Sequence, residues 1–235
     1  MSRELDWDGA VNARDLGGLL AGSGTIQPGR VYRSARPDLL TDAGWEQLAE
    51  AGVSTVIDLR NDYERLEVRV LDVVHHHPVE DQQDAEFMAE WGERLDSPAY
   101  YGEALRRWPG LITSVFARIA DASPGGVLVH CKAGRDRTGM IIAMLLSLVG
   151  TPVADILDDY ELAVRSMNAY YEEHPDAGEP ALRGAALSGA ALEEHCADAC
   201  LAMVAFLGST DVAGYLTNSG LTFEQLDRLR ARLTN

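Results

Sequence analysis

A charged segment, residues 130–137, separates two apolar runs near the middle of the chain. The run before it, 127–129, has the length of a short buried strand, and the run after it, 140–149, is typical of a buried helix. A strand and a helix joined this closely predict a tight loop whose backbone N–H groups converge beside the positive end of the helix. The spacing therefore predicts an anion-binding loop within an α/β fold.

The loop has a cysteine near its start and an arginine six positions later. Converging N–H groups that hold an anion also stabilise a thiolate, so we expect Cys131 to be nucleophilic. Arg137 offers a planar guanidinium that can bind two oxygens of one oxyanion. Gly134 allows the backbone to turn closely around the ligand. The pattern predicts a nucleophile and an oxyanion cradle within one loop.

These residues resemble the signature loop of cysteine-dependent protein tyrosine and dual-specificity phosphatases, Cys-x5-Arg-Ser/Thr. With Thr138 and Gly139, the loop is more similar to that of a bacterial group of atypical tyrosine and phosphoinositide phosphatases, His-Cys-x-x-Gly-Lys-Asp-Arg-Thr-Gly. Other segments resemble that group in the same order along the chain: 12–18, 32–34, 56–60 with Glu64, and 159–160. The resemblance runs from about residue 10 to the end of the sequence.

The resemblance implies a tyrosine-phosphatase-like central sheet flanked by helices, in a single domain over residues 1–235. It also implies a metal-independent phosphatase without a cofactor, in which Cys131 forms a phosphocysteine, Arg137 stabilises the transition state and Asp136 transfers the proton. The expected substrate is protein phosphotyrosine, and a phosphoinositide or dual specificity is the alternative. The substrate-binding positions are then Lys132, Ala133, Gly134 and Arg135.

Two parts of the chain offer the acid that protonates a leaving oxygen. Asp136 lies inside the loop, and the resemblance assigns the proton transfer to this position. The acidic segment 80–84 precedes Cys131 by a distance compatible with the acid loop of conventional tyrosine phosphatases, but it lacks their Trp-Pro-Asp pattern. We expect Asp136 to be the acid, and its structural alternative is an ion pair with Arg14 or Arg33.

The loop departs from the family pattern at Arg135, where the family usually has lysine. Together with Lys132 it suggests a multiply phosphorylated substrate, although solvent-facing charges would give the same sequence. Thr138 is either a hydroxyl donor to the sulfur of Cys131 or a helix-start residue. Other polar residues are expected to brace the loop or simply to hold the fold together: His130, Arg14, Asp15, Arg33, Asp58 and Arg60.

Two other activities fit a cysteine within an anion-binding loop. Rhodanese-like sulfurtransferases also have one, but the trailing Asp136-Arg137-Thr138-Gly139 favours phosphate. A pseudophosphatase would bind phosphate without turnover, and the intact Cys131 and Arg137 argue against it. The phosphatase is therefore the primary hypothesis.

The formal net charge of −17 constrains the partners. Such an acidic chain is unsuited to a general nucleic-acid surface or to broad attraction to anionic membranes. The longest apolar stretch, 140–149, is far too short to span a bilayer, and the N-terminus lacks a secretory pattern. We expect a cytoplasmic protein without integral membrane association, with secretion by an unusual route still open; the sequence does not predict its oligomeric state.

Cysteine and histidine usage suggests neither a disulfide framework nor a metal site. Only three cysteines occur, and Cys196 and Cys200 fall within an apolar run typical of a buried helix. The histidines at 75–77 would alternate between the faces of a strand, which separates potential metal ligands.

Periodicity and turn residues predict the remaining elements. The expected strands are 53–59, 70–79 and 127–130, and a hairpin occupies 17–35. The predicted helices are 41–51, 87–95, 100–120 with a break near 108–109, 153–171, 192–207, 212–217 and 222–233. The C-terminal third is thus mainly helical, and segments 80–96 and 173–188 are candidate lids.

Overall fold

The computed structural model describes residues 3–22, 24–65, 72–175 and 186–234. Its strands are β1 (Arg14–Asp15), β2 (Leu20–Ala21), β3 (Gly24–Thr25), β4 (Val31–Ser34), β5 (Val53–Asp58), β6 (Val74–His76) and β7 (Gly126–His130). Five of them form a central sheet in the order β1-β4-β7-β5-β6, and β2 pairs with β3 in a separate hairpin. The strands β4, β7, β5 and β6 are parallel, whereas β1 is antiparallel to β4 at one edge.

The helices of the described ranges surround this sheet and fill the C-terminal third. They are α1 (Asp42–Glu50), α2 (Ala85–Trp91), α3 (Tyr101–Arg107), α4 (Pro109–Ala120), α5 (Asp136–Leu148), α6 (Val153–Glu173), α7 (Gly189–Ser209), α8 (Val212–Asn218) and α9 (Phe223–Thr234). The predicted α/β class and the helical C-terminal third are confirmed.

The two faces of the sheet are covered unequally. In β7, Val127 and Val129 pack into the large core with α4, α5 and the C-terminal helices, whereas Leu128 packs on the opposite face near α1. This alternation follows from the two-residue repeat of a strand. Residues 137–146 of α5 are all buried. The apolar run after the charged loop therefore forms the central helix of the core.

Local sequence signals account for most element boundaries. The side chain of Thr41 caps α1 by accepting a hydrogen bond from the Gly44 N–H, as expected for an N-cap threonine. Pro109 has no N–H to continue α3, so a new helix begins there. The strand predicted over 70–79 is shorter in the structure, Val74–His76, and residues 70–71 of that prediction lie outside the described residues.

Within the described ranges, no individual helix has both the length and the apolar composition needed to cross a bilayer. The helices α7 and α8 meet that criterion only as a pair, which is bent by 63°.

Candidate active site

The loop that follows β7 lies at the centre of the molecule. Because β7 is flanked by the parallel strands β4 and β5, the loop emerges among the carboxyl ends of three strands. In parallel sheets this edge is where ligands bind. Helix α5 begins at Asp136, so the loop runs directly into a helix N-terminus as the sequence predicts.

Groups outside the loop bond to its backbone carbonyls. The donors are the Leu59 N–H to His130 O (2.9 Å), the Arg36 N–H to Lys132 O (3.0 Å), Asn12 Nδ2 to Ala133 O (2.9 Å) and Arg33 Nη2 to Gly134 O (2.7 Å). The N–H of a trans peptide points away from its C=O. The N–H groups that follow the carbonyls of Lys132, Ala133 and Gly134 therefore point away from these outside donors, an orientation that suits an oxyanion-binding loop.

Gly134 makes this path possible. Its φ is +65°, and a Cβ at this position would lie 2.2 Å from the carbonyl oxygen of Ser34. Only glycine fits such a close approach in the left-handed region. Gly134 thus shapes the loop, and it is not among the residues that line the cavity described next.

Cys131 lines a cavity of about 150 Å³. The residue is only 2% exposed. Five other residues of the predicted site line the same cavity: Lys132, Ala133, Arg135, Asp136 and Arg137. The loop therefore gathers the predicted nucleophile, acid and guanidinium around one space.

Two glutamates hold the guanidinium of Arg137. Glu64 accepts hydrogen bonds from both terminal nitrogens, one of them Nη2 to Oε1 at 2.8 Å. Glu80 Oε1 lies 3.5 Å from Nε. Burial raises the pKa of Glu64, but its hydrogen bonds and ion pair with Arg137 outweigh burial and bring it below its usual range. The plane of Arg137 is consequently fixed beside Cys131.

The carboxyl group of Asp136 is held from two sides. Tyr160 donates its hydroxyl to Oδ1 over 2.8 Å, and Arg135 donates Nε to Oδ2 over 2.9 Å. The Tyr101 hydroxyl donates to the backbone carbonyl of Asp136 over 2.7 Å. A Cβ at Gly139 would come within 2.9 Å of the Tyr160 ring, so glycine leaves room for these tyrosines. Because Arg135 bonds the Asp136 carboxyl group, it is not a simple solvent-facing charge.

Arg14 and Arg33 stand opposite each other in the register of β1 and β4. Both pair with the buried Asp159, Arg14 through Nε at 2.9 Å, and Arg3 adds a third ion pair. Burial raises the pKa of Asp159, but the charges of Arg14 and Arg33 outweigh it and hold the pKa well below its usual range. The alternative in which Asp136 pairs with Arg14 or Arg33 is thus wrong, because Asp159 occupies them.

A second buried cluster stands at the start of the loop. Asp58 accepts from Arg60 through Nε and Nη2, both at 2.9 Å, and Arg60 also pairs with Asp38. His130 Nε2 lies 3.9 Å from Asp58 Oδ1. Burial lowers the pKa of His130, and the charge of Asp58 opposes this only in part. These residues brace the junction of β5 and β7.

The structure distinguishes between the alternatives left open for Asp15 and Thr138. Asp15 accepts from the Gly17 and Gly29 N–H groups and holds turns near the hairpin rather than the loop. The Thr138 hydroxyl is buried without a hydrogen-bond partner among the described residues, so it does not donate to Cys131 here.

Part of the candidate lid 80–96 lines the same cavity. Glu80, Gln82, Met88, Leu95 and Asp96 line it. This segment contains α2 and a short 3-10 turn at Gly92–Arg94. Of the other candidate lid, 173–188, residues 176–185 lie outside the described residues.

Sequence reasoning missed several groups that shape the site. Glu64 was noted only as part of the resemblance, and Tyr100, Tyr101 and Tyr171 were not singled out. Asn12, which contacts the loop, has a φ of +55°, rare for a residue other than glycine. An Asn just before a short strand was the only signal of this turn.

Comparisons with known proteins identify the family of this chain. A model of the tyrosine phosphatase family matches residues 5–235. The chain belongs to the tyrosine phosphatase family. It is 34% identical to a tyrosine-protein phosphatase from Nostoc commune over 86% of this chain and 73% of that protein. It is 32% identical to the triple specificity protein phosphatase PtpB from Mycobacterium tuberculosis over 67% of each chain. The predicted family and the predicted class of enzyme, a phosphatase, are confirmed.

Proposed function

We propose that this tyrosine phosphatase family member hydrolyses phosphotyrosine in proteins through a phosphocysteine intermediate. The observation that carries the proposal is the convergence of Cys131, Arg137 and Asp136 on one cavity, in a loop whose carbonyls are bonded from outside. A nucleophile, an oxyanion cradle and an acid are the three components that this reaction needs.

In the first step the thiolate of Cys131 attacks phosphorus. A P–S bond forms while the ester P–O bond breaks, and the proton of the Asp136 carboxyl passes to the leaving phenolate oxygen. The loop N–H groups and Arg137 stabilise the charge on the equatorial oxygens. Glu64 supports this step because it holds the guanidinium in plane.

In the second step water attacks the phosphocysteine. The Asp136 carboxylate accepts a proton from the water, the new P–O bond forms, and the P–S bond breaks to release phosphate and the thiolate. No redox step and no further reactant is involved. Tyr160 and Arg135 support both steps because they orient the same carboxyl group.

The lining of the cavity favours an aryl phosphate. Tyr100, Tyr171, Met88 and Leu95 contribute apolar surface to its walls, which suits the ring of phosphotyrosine. Four acidic side chains line the cavity beside three basic ones: Glu64, Glu80, Asp96 and Asp136 beside Lys132, Arg135 and Arg137. This balance is poor for a ligand with several phosphates.

A phosphoinositide or dual specificity is the second candidate. Lys132 and Arg135 both line the cavity and could meet a further phosphate. Arg135, however, already bonds Asp136, so it would have to leave the acid in order to bind substrate. PtpB, the relative from M. tuberculosis, is named for triple specificity. Phosphotyrosine therefore ranks first and the lipid second.

The test compares turnover of a phosphotyrosine peptide, a phosphoserine peptide and monophosphorylated phosphoinositide in vesicles. Cys131→Ser is the blank. We expect the highest kcat/KM on phosphotyrosine and no turnover by the serine variant. Full activity of that variant would contradict the phosphocysteine, and a higher kcat/KM on lipid would reverse the order of substrates. Thiosulfate turnover without phosphatase activity would instead indicate a sulfurtransferase, and vanadate binding without turnover a pseudophosphatase.

A further inference from the structure

Glu80 places a second carboxyl group on the guanidinium of Arg137. It follows Val79 after β6, is 2% exposed and lines the same cavity as Cys131. Its Oε1 accepts a hydrogen bond from Gln82 Nε2 and lies 3.5 Å from Arg137 Nε. Its Oε2 is buried without a hydrogen-bond partner among the described residues. A buried carboxyl oxygen left unpaired in this way calls for an explanation.

One guanidinium cannot neutralise two buried carboxylates. Glu64 already accepts from both terminal nitrogens of Arg137 and, in addition, from the backbone and side-chain nitrogens of Asn61. Glu80 receives a single long contact to Nε. Like charges that share one site separate into an ionised and a protonated member. Glu64 is the ionised member, because it accepts more hydrogen bonds than Glu80 does.

The groups packed around Glu80 agree with this assignment. Burial raises its pKa, Glu64 adds to the rise, and Arg137 opposes both. The buried Tyr100 hydroxyl and the Gln82 amide also act on Glu80 and lower its pKa, but together with Arg137 they do not outweigh burial and Glu64. Gln82 in turn accepts from the Tyr63 hydroxyl over 2.6 Å. Arg137 is thus the one cation among the groups that act on Glu80 in this part of the structure.

The geometry also fixes where a phosphate meets Arg137. Glu64 binds the end of the Arg137 guanidinium that carries both terminal nitrogens. The edge that carries Nε therefore remains for the ligand. Glu80 Oε1 stands opposite that edge. An ionised Glu80 would compete with phosphate for Nε, whereas a protonated Glu80 could donate to a phosphoryl oxygen.

We propose that Glu80 binds the substrate phosphate as a neutral carboxylic acid, donating its Oε2 proton to a phosphoryl oxygen held by Arg137. The inference rests on the proposed function in that it assumes phosphate enters this cavity. Ionised Glu80 then blocks the site. Glu80 is consequently a substrate-binding residue that makes phosphate affinity depend on pH, in addition to the acid Asp136.

The test measures binding of sulfate, a dianion that does not titrate near neutral pH. Cys131→Ser is the background because it removes titration of the thiol. We expect the sulfate Kd of this variant to rise about tenfold or more between about pH 5 and about pH 8.5. In Cys131→Ser/Glu80→Gln the sulfate Kd should stay constant within about twofold, because the side-chain amide N–H of the glutamine donates at both pH values.

Glu86→Gln in the same background is the matched control, since Glu86 is an exposed carboxylate on α2 with 88% of its side chain accessible. It should keep the full pH dependence. The same pH dependence with and without Glu80→Gln would overturn the inference.

Calorimetry in buffers of different ionisation enthalpy gives an independent measurement. Within the pH range over which the Kd rises, sulfate binding to Cys131→Ser should take up a proton, and the Glu80→Gln double variant should take up none. If the double variant does not fold, sulfate binding to Cys131→Ser without proton uptake at any pH would overturn the inference. Sulfate binding requires no turnover, so these results separate this inference from the failure of the phosphatase activity itself.

Discussion

Tyr160 donates its hydroxyl to Oδ1 of Asp136 over 2.8 Å, across the first turn of α5. Arg135 holds the other carboxyl oxygen of Asp136, so neither oxygen is free to rotate toward solvent. The direction of the carboxyl group is therefore fixed by α6 as well as by the loop. In the proposed mechanism, Tyr160 and Arg135 therefore determine the direction in which the Asp136 carboxyl group presents its proton.

Tyr160→Phe removes only this hydroxyl. We expect kcat on a phosphotyrosine peptide to fall about tenfold with little change in KM, because a hydrogen bond to a charged group is worth about 1.5–3 kcal/mol. Tyr170→Phe, on the same helix but stacked on His174, is the control and should leave kcat unchanged. An unaltered kcat for Tyr160→Phe in steady-state assays would show that Tyr160 does not orient the acid.

Asp136→Asn removes the proposed proton donor to the leaving oxygen. Hydrolysis of phosphotyrosine should slow by about a hundredfold or more, within the range of general acid catalysis. An ester with an activated leaving group should lose much less, because its oxygen departs without protonation. Equal losses of kcat on the two substrates would mean that Asp136 is not the acid.

Gly134→Ala tests the shape of the loop. The added Cβ would lie 2.2 Å from Ser34 O at a φ of +65°, so we expect a loss of about 1–3 kcal/mol in the free energy of unfolding. A displaced loop should also lower kcat/KM by about a hundredfold. Gly110→Ala in α4 is the control, since nothing lies within 4 Å of its Cβ, and it should stabilise by about 0.5–1 kcal/mol. Normal kinetics in Gly134→Ala would contradict the close approach.

Asp159 should make stability depend on pH. Its pKa lies well below its usual range because Arg14 and Arg33 outweigh burial. The unfolded state therefore binds the proton more tightly, so the stabilisation is complete above about pH 4 to 5 and is lost as the pH falls. Asp159→Asn should cost about 3–5 kcal/mol near neutral pH, since two buried arginines lose their partner.

Urea unfolding of the wild type and Asp159→Asn at several pH values tests this predicted pH dependence of stability. The free energy of unfolding of the variant should decline less steeply below about pH 5 than that of the wild type. Parallel declines would assign the acid sensitivity to other carboxylates.

The loop of residues 130–137 could be predicted from the sequence because its parts are neighbours. Cys131 and Arg137 lie in one strand–loop–helix unit, and Gly134 supplies a turn whose need for glycine is local. The helical boundaries near Thr41 and Pro109 also depend on single residues whose capping or missing N–H acts within one turn. Where the chemistry is local, the prediction and the structure agree.

The surroundings of the loop depend on contacts that sequence spacing does not encode. Asp159 reaches Arg14 and Arg33 across 145 and 126 positions. Asp15, the neighbour of Arg14, accepts hydrogen bonds from backbone N–H groups of turns and does not join this cluster, because successive strand residues point to opposite sides. Glu64 and Glu80 meet on Arg137 only because β5, β6 and β7 are neighbours in the sheet. Tertiary order, rather than any motif, brings these groups together.

The central claim is that Cys131 carries the phosphoryl group between the two steps. Rapid acid quench of the enzyme during turnover of a phosphotyrosine peptide, followed by mass spectrometry of its peptides, tests it directly. We predict one added phosphoryl group on the peptide that contains Cys131, and none in Cys131→Ser. Turnover at the normal rate with no phosphorylated cysteine at any quench time, or with the phosphoryl group on another residue, would contradict the account.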